Sequence, residues 1–159
     1  MDLDKIKRDI LDLYDICIEK TETFHIKIDI CLVPNYLSDL VFEKTGIDIS
    51  KHLITIDNYG IIHSLHKHGN PISESKRVQV ALEKEDFVKL IDVIFEPDSI
   101  VLLDKSKRSS LPLLQFEKVI NDRKIVVKEI RTITSSKKNK VSRLVFHTMY
   151  KFKSPTKLV

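Results

Sequence analysis

The spacing of apolar residues in the first third of the chain predicts two helices with one strand between them. Over residues 3–20 an apolar side chain returns every three or four positions among acids and lysines, which predicts an amphipathic helix. Residues 24–32 alternate between apolar and polar side chains, which predicts a strand. A second helix is predicted between Pro34, which fits a first helical turn, and Gly46, which fits a C-terminal stop.

The middle third predicts two more helices. Asp57 can cap a helix over residues 58–68 that Gly69 closes, because aspartate accepts hydrogen bonds from the free amides at a helix start. Residues 83–95 carry apolar side chains on one helical side before a Pro-Asp turn. The intervening residues 73–77 are polar and are predicted to form an exposed loop.

After residue 98 the pattern changes to strands. Four strands are predicted, at residues 99–104, 113–120, 124–133 and 141–152. The short polar break from Asn121 to Arg123 predicts a hairpin, and residues 105–110 are predicted as an exposed loop. Helices followed by consecutive strands predict an α+β fold. In it, N-terminal helices pack on a C-terminal antiparallel sheet of about four strands, with an extra N-terminal helix and strand.

Length and composition narrow the class of protein. A chain of 159 residues, 42% of them hydrophobic, fits one domain with its own core. No stretch approaches the roughly 18 apolar residues that span a membrane, and charges at the start occupy positions where a signal peptide is apolar. Cys17 and Cys31 form no CxxC pair, and only three glycines argue against a glycine-rich nucleotide loop. We therefore expect a cytoplasmic protein without a membrane partner.

The net charge of +4 conceals a gradient along the chain. Residues 1–50 carry 6 Lys and Arg against 11 Asp and Glu, whereas residues 101–159 carry 15 against 4. The C-terminal third, at +11, is therefore the region in which we expect a polyanionic partner to bind.

Three of the six histidines lie within residues 63–68, at the end of the third helix. Histidine titrates near neutral pH and can move protons to and from ribose hydroxyls and phosphate esters. His63 and His66 lie about 60° apart around the helix, whereas His68 lies close in angle to its apolar side. An exposed helix with one packed histidine explains the cluster equally well. A metal site is less favoured, because no carboxylate or cysteine nearby in the sequence completes a ligand set.

Polar side chains also cluster on the last two predicted strands. Alternation places Thr148 and Tyr150 on the face of Leu144, Phe146 and Phe152, and two polar groups there favour an opening into a cleft. Their hydroxyls could bind a phosphate or support a proton transfer, although both residue types also occur in strands for structural reasons alone. The preceding strand adds Lys128, Arg131 and, at its end, Ser135.

Residues 135–140 form a basic tip between these two strands. Lys137 and Lys138 can meet phosphates and steer a nucleic acid in a salt-sensitive way. A solvated turn is the alternative. With the +11 segment around the tip, the sequence favours nucleic-acid contact and a solvated turn equally.

Several short motifs follow one another in a characteristic order. They are Ile-Thr-Ile-Asp at 54–57, the helix with His63 and His68, Phe-Glu-Pro-Asp-Ser-Ile at 95–100, and His-Thr-Met-Tyr-Lys at 147–151. In this order the chain resembles the phage-associated branch of the barnase/EndoU/colicin/RelE-like ribonuclease superfamily. The resemblance implies one domain with an N-terminal extension at 1–46, a nuclease-like core at 47–152 and a tail at 153–159. It also implies four antiparallel strands with RNA bound across them.

The resemblance carries an expected mechanism. His63 and His68 match the family's helical histidine pair, and Thr148 and Tyr150 match its threonine and tyrosine on the last strand. One histidine would take the proton from a ribose 2′-OH, whose oxygen attacks the neighbouring phosphorus. The other histidine or Tyr150 would protonate the departing 5′-oxygen, while Thr148 orients the phosphate. The implied activity is a metal-independent endoribonuclease without a cofactor.

The basic residues would support this reaction. Lys128 or Arg131 would stabilise the charge on the phosphorane oxygens, and Ser135, Lys137 and Lys138 would bind the substrate. The alternatives are a non-catalytic RNA- or protein-binding module on the same sheet and a metal-dependent nuclease that uses the histidine cluster. Because the family is rich in toxins and phage-encoded effectors, an immunity or antitoxin protein is a further expected partner in a bacterial or phage-infected cell.

Overall fold

The computed structural model describes residues 2–20, 23–103, 112–135 and 140–155, without the side chains of 130–135 and 140. Within these residues the helices are α1 Leu3–Glu19, α2 Asn35–Thr45, α3 Asn58–His68, α4 Pro71–Lys76 and α5 Asp86–Phe95. None of these helices combines the length and the apolar character that crossing a membrane requires. The four predicted helices are confirmed, and α3 has the bounds that its cap and its glycine predict.

Two helices differ from the sequence-based expectation. Residues 73–76 of the segment predicted as a loop belong to α4, which Asn70 caps by accepting from the amides of Ile72 and Ser73. A helix of six residues is too short and too polar for an apolar period to reveal it. Helix α5 begins three residues later than predicted, because the amide of Glu83 donates to Asp86 at 2.7 Å and holds a turn there.

The described strands form one sheet of seven, rather than about four. They are β1 Lys27–Leu32, β2 Leu53–Asp57, β3 Gln79–Val80, β4 Ser99–Leu103, β5 Leu113–Ile120, β6 Arg123–Ser135 and β7 Lys140–Phe152. Their order is β1-β2-β7-β6-β5-β4, with β3 paired to β7 off this path. Only β2 and β7 among them run parallel. The predicted α+β class is confirmed, and the predicted N-terminal strand extends the same sheet.

Local chemistry explains the edges of the confirmed strands. Asn121 and Asp122 both adopt positive φ, at 51° and 61°, which gives the tight turn that the β5–β6 hairpin requires. Strand β1 begins three residues later than predicted because the amide of Ile26 and the carbonyl of Phe24 bind the side chain of Asn58 instead of a strand. The predicted loop at 105–110 lies outside the described residues.

One extra residue interrupts the pairing of β7 with β6. Lys128 lies opposite Thr148, whereas Glu129 lies opposite Phe146, so His147 has no partner of its own in the register. Such a β-bulge reverses the alternation of side chains along the bulged strand.

The bulge corrects the predicted face of the candidate residues. Phe146 contacts α5, and so does Lys151, which forms an ion pair with that helix. Strict alternation would place these two side chains on opposite faces, because they are five positions apart and side chains on one face recur every two positions. The prediction that Thr148 and Tyr150 share the face of Leu144 and Phe146 is therefore wrong. They lie on the face of the sheet that points away from α5.

One carboxyl group in the core between the sheet and the helices, that of Glu129, lacks a partner among the described residues. Glu129 is completely buried, and neither of its carboxylate oxygens has a hydrogen-bond partner among the described residues. Burial raises the pKa of Glu129 well above its ordinary value, and the negative charge of Asp57 raises it further. Both effects favour the neutral, protonated form of Glu129 in the folded protein.

We expect Glu129→Leu to stabilise the fold by about 1–3 kcal/mol, because the substitution removes an unpaired polar group from the core. The wild type should lose stability as the pH rises above 4.5, the ordinary pKa of this carboxyl. Above that pH the unfolded chain releases the proton and the folded chain retains it, at about 1.4 kcal/mol per pH unit. Thermal unfolding between pH 4 and 8 measures both effects.

Two variants complete the Glu129 experiment. Glu129→Gln should remove the loss of stability with rising pH. It should gain less stability than Glu129→Leu, because its side-chain amide stays unpaired in the core. Glu43→Leu makes the same change at an exposed position of α2 and should leave the pH dependence intact. A less stable Glu129→Leu variant would show that the carboxyl has a partner that stabilises the fold.

Candidate active site

Helix α3 lies directly against the bulged part of β7 because its third residue is a glycine. A Cβ atom added to Gly60 would lie 2.5 Å from the carbonyl oxygen of Phe146, so a larger residue would force the helix away. Ser64, one helical turn later, also contacts β7. Its hydroxyl accepts from the amide of Met149 at 3.2 Å and lies 3.4 Å from the hydroxyl of Thr148. The helix therefore satisfies part of the strand's backbone where the bulge disturbs the ladder.

This contact brings two histidines together. The rings of His63 on α3 and His147 at the bulge stack with their centroids 4.8 Å apart and an interplanar angle of 29°. Both side chains are partly exposed. The extra residue of the bulge therefore supplies a second imidazole beside the first.

A second histidine group lies at the end of α3. His68 donates from Nδ1 to the carboxylate of Glu74 on α4, with both oxygens at 3.2 Å. Arg77 donates to the same carboxylate at 2.6 Å and to the carbonyl of Lys67 at 2.8 Å. Glu74 is completely buried, and 11% of the His68 side chain remains exposed. Because Nδ1 faces the carboxylate, a proton transfer to a substrate would use the other ring nitrogen, Nε2.

Burial sets the protonation of His68. Desolvation lowers the pKa of His68 below its ordinary value of 6.5, against the opposing effect of the Glu74 carboxylate. The positive charge of Arg77 also lowers it by disfavouring a second cation nearby, whereas a hydrogen bond with the Gln79 side chain raises it. His68 is therefore neutral at neutral pH, the form that a general base requires.

Tyr150 on β7 lies between His68 on α3 and Lys128 on β6, and contacts both. Its ring centroid lies 5.0 Å from that of His68, and the Nζ atom of Lys128 lies 5.4 Å from the ring. Burial raises the pKa of Tyr150, and the carboxylate of Glu117 raises it further. A phenol that stays protonated beside a lysine can donate a hydrogen bond to a phosphate oxygen.

The structure brings most of the sequence-predicted residues to one face. His63 and His68 on α3, Thr148 and Tyr150 on β7 and Lys128 on β6 line the face of the sheet that points away from α5. The backbone of Arg131 lies opposite Leu144, three positions along β6 from Lys128. The side chains of Arg131 and Ser135 lie outside the described part of the chain, as do all atoms of Lys137 and Lys138.

Sequence reasoning missed Ser64 and Glu74, and it assigned no role to His147. Glu74 lies in the segment that is predicted as an exposed loop, and its spacing from His68, six residues along the chain, matches no regular helical contact. No group of three or more His, Cys, Asp or Glu among the described residues could hold a metal ion. Chemically, the site offers a neutral imidazole, a protonated phenol, a lysine and a stacked imidazole pair. These are the groups of acid–base chemistry at a phosphate ester.

Comparison with known families assigns the chain to a class of protein. The phage-Barnase-EndoU-ColicinE5/D-RelE like nuclease3 family matches residues 32–158. The chain belongs to this nuclease family. No curated protein and no solved structure matches it.

Membership confirms the resemblance drawn from the motif order and gives the chain a nuclease function in general. The match extends over α2 to β7 and so includes every residue of the site described above. It begins at residue 32, and α1 and most of β1 lie before it. The part of this nuclease before residue 32 contributes to the same core, with Ile10 and Leu13 of α1 completely or almost completely buried.

Proposed function

We propose that this nuclease is a metal-independent endoribonuclease that cleaves RNA through attack of the ribose 2′-OH. The observation that carries the proposal is the His68–Glu74 pair beside Tyr150 and Lys128. A neutral imidazole oriented by a carboxylate is suited to remove a hydroxyl proton. It stands next to a lysine and a phenol that can hold the phosphate.

In the first step His68 Nε2 takes the proton of the 2′-OH. The 2′-oxygen forms a bond to the adjacent phosphorus while the bond from phosphorus to the 5′-oxygen breaks. Lys128 and Tyr150 stabilise the charge that develops on the phosphorane oxygens, a contribution that usually exceeds the others. Thr148 orients the phosphate between them. The products are a 2′,3′-cyclic phosphate and a 5′-OH.

The general acid belongs on the opposite side of the phosphate from the base. Tyr150 contacts His68 and so stands on the side of the base, whereas His63 lies more than one turn earlier on α3 and stacks on His147. We therefore assign to His63 the proton that the departing 5′-oxygen receives. The acid and base functions are each worth about 10²–10⁴ in rate.

The +11 C-terminal segment supports RNA as the substrate, because clustered cations bind the phosphate backbone. We include Arg131, Ser135, Lys137 and Lys138 in the proposed substrate contacts on this ground. The phage-associated family supports a role as a toxin or phage effector. An immunity or antitoxin protein is the partner that such a role implies.

Incubation of the full chain with total RNA in excess EDTA tests the proposal. We expect cleavage to continue and the mapped ends to carry 2′,3′-cyclic phosphate and 5′-OH groups. Activity that EDTA abolishes and Mg²⁺ restores, or products with 5′-phosphate ends, would contradict the mechanism. Salt-sensitive RNA binding without any product would favour the binding-module alternative.

A further inference from the structure

The segment before residue 32, outside the family match, builds a cavity against α3. The cavity has a volume of about 380 Å³, and its lining includes Cys17, Lys20, Phe24, Tyr59, Ile62 and His66. A volume of this size lies in the range of small-molecule sites. Its walls come from α1, from the loop before β1 and from the solvent side of α3.

Exposed rings border this cavity. The rings of His25 and Tyr59 lie 5.2 Å apart at an angle of 33°, and Tyr59 is 50% exposed. The Nζ atom of Lys20 lies 5.3 Å from the ring centroid of Phe24. Aromatic faces and cations at the surface are the groups with which proteins hold unpaired bases and the phosphates that join them.

The loop that carries two of these rings is held in place. Asn58, which is almost completely buried, donates to the carbonyl of Phe24 at 2.8 Å and accepts from the amide of Ile26 at 2.9 Å. Its own amide donates to the carbonyl of Ile26 at 3.1 Å. Two hydrogen bonds of the Asn58 side chain and one of its backbone amide therefore fix Phe24 and His25 before any ligand binds. A site fixed in advance loses less conformational entropy on binding.

The cavity and the candidate active site share helix α3. Tyr59 and His63 lie four residues apart on α3, hence on the same helical face and about 6 Å apart along the axis. His66, which lines the cavity, lies three residues beyond His63. When a phosphate of an RNA strand contacts His63, the adjacent nucleotide can therefore reach Tyr59.

We propose that this cavity, with the His25–Tyr59 ring pair, is a nucleobase-binding subsite for single-stranded RNA beside the cleaved bond. The inference rests on the proposed ribonuclease function and adds a source of substrate selection that lies partly outside the family match. A base stacks on Tyr59 and His25 at the mouth of the cavity, and Lys20 meets a phosphate. Single-stranded RNA is favoured over a duplex because only an unpaired base presents its face to a ring.

The experiment uses a hexamer of 2′-O-methyl RNA, which 2′-OH attack cannot cleave, with 2-aminopurine placed in turn at each position. We expect the full chain to quench 2-aminopurine fluorescence at one position and Tyr59→Ala to remove that quenching. Loss of one stacked base should weaken binding by at least about fivefold. Tyr59→Phe, which keeps the ring, should bind as the wild type does.

A cleavable hexamer and the same hexamer with an abasic nucleotide at the quenched position supply the second measurement. Tyr59→Ala should lower kcat/KM for the intact hexamer by about fivefold or more and leave kcat/KM for the abasic hexamer unchanged. Phe42→Ala removes a ring that is 58% exposed on α2 and should leave both values unchanged. Equal losses on the two hexamers would overturn the subsite and show that Tyr59 supports α3 instead.

The outcomes separate the subsite from the proposed function. Position-specific quenching without cleavage of the unmodified hexamer would support the subsite and overturn the ribonuclease. Cleavage without quenching at any position would overturn the subsite and leave the ribonuclease standing. Neither quenching nor cleavage would overturn both.

Discussion

His68→Asn is expected to lower the rate of RNA cleavage by about 10²–10⁴, the usual contribution of a general base. Asparagine keeps a neutral amide that can donate to Glu74, so the carboxylate retains a partner, but it cannot accept a proton near neutral pH. Initial rates on a defined RNA, with thermal unfolding of the same samples, measure the effect. His68→Ala should lose as much activity and more stability, because it leaves a gap above Glu74.

The wild-type pH profile gives an independent check on the same residue. Because burial lowers the pKa of His68, the rate should fall only as the pH drops below the ordinary value of 6.5. His68→Asn should lose that acidic limb. A variant with wild-type rates, or with an unchanged acidic limb, would remove His68 from the mechanism.

A matched histidine serves as the control. His52 is also buried, and its Nδ1 donates to the carbonyl of Ser50 at 3.0 Å. It precedes β2, whose partners on β7 end at Val145, before the bulge. His52→Asn should therefore cost stability without the loss of rate. Equal losses of rate in both variants would show that cleavage depends only on folding.

The sequence predicts the fold best where local chemistry determines it. Asp57 and Gly69 bound α3 because a cap and a stop act on their own neighbours, and Asn121 and Asp122 set the hairpin in the same way. The two-residue strand β3 is too short for any period. The bulge at His147 is not predictable from the sequence, because it lies in the register of β7 with β6, and β7 also contacts Ser64 from another part of the chain.

The same distinction holds for the candidate site. The helical angle predicts the packing of His68, and the late polar residues predict Thr148 and Tyr150, since both patterns are local. The face on which Tyr150 lies is not local, because the bulge reverses it. The burial of Glu74 is also unpredictable from its surroundings, because a carboxylate stays buried only when partners from elsewhere, here His68 and Arg77, meet it.

Glu74→Gln is expected to lower the cleavage rate by between about 10-fold and 10⁴-fold, the range measured when the partner that orients a histidine is lost. The amide of glutamine can donate to Nδ1, which would place the hydrogen on Nε2 and leave no base towards the substrate. The variant should also be less stable by about 1–3 kcal/mol, since a buried charged hydrogen bond is lost. Rates and unfolding midpoints measure the two effects separately.

Arg77→Gln separates positioning from simple structural support, because the two neighbours of His68 act on it in opposite directions. Glu74 raises the pKa of His68 and Arg77 lowers it. Glu74→Gln should therefore move the acidic limb of the pH–rate profile to lower pH, whereas Arg77→Gln should move it to higher pH. A structural role alone would lower both rates without moving either limb. Shifts in the same direction, or none, would therefore exclude Glu74 as the residue that tunes and orients the base.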